Sequence, residues 1–134
     1  MYREIEWAAA VVFGLVGLSQ IYLPEAWAAY YQRLAARGEA GIRMYGMIVL
    51  SAGAAIAGLY NVWSGPAVVL TGTGWLLILE GGLCVLAPAL GVAGFAAADA
   101  VVRNRALMAT GIYSVIVSCV LWVHLLWAGS PPAG

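Results

Sequence analysis

Six basic and six acidic residues in a chain of 134 make 9% charged, where an ordinary soluble domain carries roughly a quarter; 64% of residues are hydrophobic and the mean hydropathy is +0.94. A fold of this size in water would bury only about two-thirds of its unfolded surface and leave large apolar patches exposed, so the composition calls for lipid as solvent. Zero net charge with no lysine excludes a basic nucleic-acid binder, and two cysteines exclude a disulfide scaffold.

Crossing about 30 Å of hydrocarbon takes around 20 helical residues. Cut at Arg, Glu, Pro and short polar clusters, the chain yields four predicted spans: 5–23, 44–63, 67–90 (which contains Pro88) and 107–127. Such long runs without alternating polarity do not fit a barrel. The expected fold is an all-α integral membrane protein, one transmembrane domain over 1–134, with its four helices in two hairpins. The first span is expected to be retained, because Glu4 and Glu6 accompany Arg3 and no small-x-small pattern follows the apolar run.

Between the first two spans, residues 25–37 place Trp27, Tyr30, Tyr31 and Leu34 on one helical face and Gln32, Arg33 and Arg37 on the other. This predicts an amphipathic helix lying in the membrane interface on the cytoplasmic side. The second connector, Gly91 to Val102, has Asp99 as its only charge and reads as a tucked helix or an extension of the third span. Arg33, Arg37, Arg43, Arg103 and Arg105 fall in the two connectors and only Arg3 lies on the other side. Connectors 24–43 and 88–106 are therefore expected to be cytoplasmic, with both termini outside, in a bacterial-type inner membrane. Trp63 and Trp127 at span ends, with Trp27, Tyr30 and Tyr31, read as interface anchors.

Sliding the chain by 64 positions aligns Gly17 with Gly81, Pro24 with Pro88, Met44 with Met108 and Trp63 with Trp127. The coincidence of a proline and a tryptophan at equivalent boundaries suggests a parallel internal duplication of halves 1–66 and 67–134.

Few residues carry chemistry. Glu80 lies inside the third span, where an ionised carboxylate must be neutralised, paired or hydrated, which makes it a candidate protonatable or cation-binding site. Gln20, at similar depth in the first span, is its expected neighbour through an amide-to-carboxyl hydrogen bond. Gly53 with Ala57 and Ala54 with Gly58 form small-xxx-small pairs, and Gly74 and Gly81 are spaced by seven; these faces allow close helix approach. Cys84 and Cys119 read as small apolar residues. Without a C-x-x-C pair the chain departs from the small bacterial mercury carriers. It also departs from the small multidrug exporters, which carry their buried Glu in the first span.

His124, in Leu121-Trp122-Val123-His124-Leu125-Leu126-Trp127, is the one histidine. A His followed by Leu and then Trp near the outer surface is similar to the antenna polypeptides of photosynthetic bacteria over a handful of residues. That resemblance implies a chlorophyll-type pigment or haem as ligand; otherwise no cofactor and no metal are expected.

The leading functional expectation is a non-enzymatic accessory or assembly subunit of a larger membrane complex, partnered by lipid and by other membrane subunits or copies of itself through small-residue faces. A small proton- or cation-coupled transporter or channel centred on Glu80 is the alternative. A pigment- or haem-binding subunit using His124 ranks third.

Overall fold

The computed structural model describes residues 2–97 and 100–128, and among these the regular structure is entirely helical. Six helices follow in order: α1 (Tyr2–Tyr22), α2 (Pro24–Ala36), α3 (Gly38–Leu59), α4 (Val68–Leu86), α5 (Pro88–Ala97) and α6 (Ala100–Ala128). The long apolar helices α1, α3, α4 and the Arg103–Trp127 part of α6 each have the length and composition to cross a membrane.

Prolines set two of the breaks. Pro24 and Pro88 each open a short helix, and a residue before proline is pushed out of the helical region. Leu23 (φ −127°, ψ 51°) and Ala87 (φ −130°, ψ 59°) obey this with nearly the same backbone angles. The third long helix therefore stops at Leu86, short of the expected residue 90. At the α2–α3 junction the chain turns at Gly38 in the left-handed region, φ +65°, which glycine adopts without strain. α3 then starts six residues earlier than the predicted span, and Glu39 and Arg43 form an exposed i,i+4 ion pair at 3.3 Å on its first turns.

The long helices form two antiparallel pairs, α3 with α4 and α1 with α6. The first pair is contiguous through the turn at residues 60–67, which Thr71 ties down: its buried hydroxyl donates to the Val62 carbonyl (2.7 Å) and accepts from the Val62 amide (3.1 Å). The second pair joins opposite ends of the chain. Small residues let the backbones meet. A Cβ on Gly17 would lie 2.7 Å from the Gly111 carbonyl oxygen, and one on Gly53 would lie 2.7 Å from that of Gly74. Ser118 adds a hydroxyl bond to the Ala10 carbonyl at 2.7 Å.

The exterior is unlike that of a water-soluble protein. The inward-facing positions include Glu6, Gln20, Thr71, Thr73, Ser114 and Ser118, while Leu15, Met47, Ile48, Leu79, Leu83 and Ile116 are exposed. Such a surface suits contact with hydrocarbon. The two pairs close on each other at the end that carries the 60–67 turn, in a core of Ala10, Tyr60, Ala67, Leu70, Val117 and Leu121. At the other end α2 packs against α3, α5 and α6, and a cleft is left between the pairs.

Candidate functional site

The cleft at the connector end has a volume of about 520 Å³, within the range of small-molecule sites. Every helix contributes to its wall: Phe13 and Gln20 from α1, Tyr31 from α2, Tyr45 from α3, Leu77 and Glu80 from α4, Gly91 from α5, Arg103 and Thr110 from α6. Glu80 stands exposed on this wall. It accepts the Tyr45 hydroxyl proton at 2.7 Å. Tyr45 is also hydrogen-bonded to Tyr31. The result is a chain from Tyr31 through Tyr45 to Glu80, with the two rings edge to face at 5.6 Å. Burial pushes the Tyr31 phenol above its ordinary value; the bond to Tyr45 acts against this and the Glu80 charge adds to it.

Gln20 is 4% exposed and faces the same cleft, as its depth suggested, but the expected amide-to-carboxyl bond to Glu80 is not made. Tyr45 takes the Glu80 carboxyl, and the Gln20 Oε1 is buried without a hydrogen-bond partner among the described residues. Buried polar atoms are nearly always paired, so this one marks a place where the cleft lacks a donor. Thr110 and Ser114 turn their hydroxyl protons onto their own helix, to the carbonyls of Ala106 and Thr110 at 2.9 Å each, which leaves their oxygens as acceptors.

A second polar cluster lies at the opposite end. Glu6, which the sequence places at the outer end of the first span, is 4% exposed. Its Oε1 accepts from the Tyr60 hydroxyl and its Oε2 lies 3.0 Å from His124 Nδ1. The pairing of α1 with α6 buries it, since these helices bring residue 6 against residue 124. A carboxylate on Nδ1 leaves Nε2 as the nitrogen through which His124 can take a ligand, the arrangement that orients metal-bound histidines.

The packing residues divide. Gly53, Gly74, Gly81 and Ala57 are spent within the α3–α4 pair, where Gly81 meets Gly46 and Leu50, and Gly74 meets Ile56 and Ala57. Ala54 and Gly58 are exposed, and a Cβ on Gly58 would meet nothing within 4 Å. Trp27 does more than anchor: its indole N–H donates to Ser19 Oγ at 3.0 Å and fixes α2 to α1. Its ring meets Tyr30 edge to face and Tyr31 at a tilt. Trp63 and Trp127 are exposed at the turn end, and Trp63 Nε1 donates to Asn61. Sequence reading passed over Tyr45 and Arg103 as site residues because each carries an ordinary boundary signal, an aromatic or an arginine near a span end.

Comparisons with protein-family models, with curated proteins and with solved structures find no significant match for this chain.

Proposed function

We propose that this chain is a small proton- or cation-coupled membrane transporter or channel whose working site is the cleft around Glu80. The observation that carries this reading is the placement of Glu80 with Gln20, Arg103 and two tyrosines on the wall of one cavity between two helix pairs. Glu80 is bonded across helices to Tyr45 yet stays exposed, and the Gln20 acceptor stands unpaired among the described residues. The matching breaks at Leu23 and Ala87 support the duplication of halves 1–66 and 67–134. The arginine distribution supports cytoplasmic connectors and outward termini in a bacterial-type inner membrane, with α2 at the interface.

The test is flux into vesicles reconstituted with the pure protein and loaded with a pH-sensitive dye, under an imposed proton gradient and membrane potential. The wild type should acidify the lumen and Glu80→Gln should abolish this while eluting as a folded species. Retained flux in the variant, or none in the wild type, removes the proposal.

The exposed Ala54–Gly58 face favours a second reading, the accessory subunit packing against another membrane helix. Purification in mild detergent tests it: a monomer that carries no second chain rules it out.

A further inference from the structure

The hydrogen-bonding groups of the cleft are unbalanced, and the imbalance points to a ligand chemistry. The acceptors are the unpaired Gln20 Oε1 on a side chain 4% exposed, the Glu80 carboxylate, and the oxygens of Thr110 and Ser114 whose protons are turned away. Several N–H donors on one small centre would satisfy such a set, and a primary ammonium offers three. Glu80 provides the opposite charge that makes burying an ammonium tolerable. Arg103 also lines the cleft, and its guanidinium suits a phosphate or carboxylate. Glu80 and Arg103 are the charged side chains among the described lining residues, and together they suit a ligand that carries both charges. The remaining wall, including Val12, Phe13, Val16 and Leu77, is apolar.

We propose that the cleft binds a zwitterionic amphiphile: a primary ammonium at Gln20 and Glu80, an adjoining anionic group toward Arg103, and an apolar tail along the α1 and α4 walls. This rests on the cleft being the working site of the protein. The chemistry is that of an aminophospholipid headgroup drawn from the bilayer, and equally that of a short-chain zwitterion arriving from water.

The experiment reads binding instead of flux. The protein is exchanged into bilayer discs containing equal parts of phosphatidylethanolamine, phosphatidylcholine and phosphatidylglycerol with identical chains, and retained lipid is counted by native mass spectrometry. In a second arm, dihexanoyl phosphatidylethanolamine or its choline analogue is titrated into protein in a neutral sugar detergent and the shift in unfolding temperature is followed. The ethanolamine lipid should be retained about tenfold over the other two, because choline has no N–H for Gln20 and glycerol has no ammonium for Glu80. Glu80→Gln and the near-isosteric Gln20→Met should each reduce that preference severalfold. Selectivity in the discs alone identifies the bilayer as source, and selectivity in both arms admits the soluble amphiphile. Equal retention of the three lipids by the wild type, or preference for the glycerol lipid, overturns the proposal without requiring any variant to fold. Ethanolamine selectivity without flux leaves the ligand standing and removes transport alone, while flux without selectivity does the reverse.

Discussion

Gly81 and Gly82 are neighbours on α4, and alanine at the two positions is expected to have opposite consequences. A Cβ on Gly82 meets nothing within 4 Å. One on Gly81 runs into the Leu50 amide nitrogen, with the Gly46 carbonyl oxygen and Leu50 Cα each at 2.7 Å. Ordinary contact begins at 3.4 Å, so the α3 backbone must retreat by more than about 0.7 Å, and backbone atoms have no rotamer with which to yield. Overpacking of this kind costs about 1–3 kcal/mol. Alanine also gains up to about 1 kcal/mol over glycine in helix propensity, but that gain is common to both variants and cancels between them. Gly82→Ala should therefore match or exceed the wild type in stability, and Gly81→Ala should fall about 1–3 kcal/mol below Gly82→Ala. Reversible unfolding in detergent titrated with sodium dodecyl sulfate, followed by circular dichroism, measures the difference. Equal stability of the two variants would refute the close α3–α4 approach.

At the turn end, Tyr60→Phe removes a donor from the buried Glu6 and should cost about 1–3 kcal/mol in the same assay; an unchanged midpoint would mean that water or another donor serves Glu6 as well. Because burial holds the Tyr31 phenol above the usual value near 10, the unfolded chain loses this proton first as pH rises. Stability from Tyr31 is thus whole below pH 10 and declines above it, and Tyr31→Phe should flatten the loss of stability above pH 10; an identical slope contradicts the burial of this ring. Should His124 ligate a tetrapyrrole, haemin titrated into the purified protein will give a shifted Soret band, absent in His124→Ala and weakened about 10–100-fold in Glu6→Gln, whose amide no longer orients the imidazole. No Soret change in the wild type ends that possibility.

Much of the architecture follows from local properties. Four runs near 20 residues with almost no charge can be little else than membrane-crossing helices, because the bilayer leaves the backbone no other way to pair its polar groups. Pro24 acts on its own neighbour through sterics, so the helix break at Leu23 was legible, as was the helix that follows it; the same rule breaks the chain at Ala87, which the expected span 67–90 ran through. Glu80 was legible as a candidate for the same reason: a carboxylate in an apolar run is anomalous wherever the run is placed. Partner choice is a different kind of property. A small-xxx-small pair looks alike whether buried or bare, and only packing spends Gly53 against Gly74 while leaving Gly58 exposed. Glu6 reads only as a residue at the outer end of the first span until α1 lies against α6 and sets it beside His124, 118 positions away. The cleft has the same origin. Gln20, Tyr45, Glu80 and Arg103 come from four helices, and no local rule states that Tyr45 takes the Glu80 carboxyl and leaves Gln20 Oε1 unpaired, because that outcome depends on distances across the bundle, which only the tertiary structure decides.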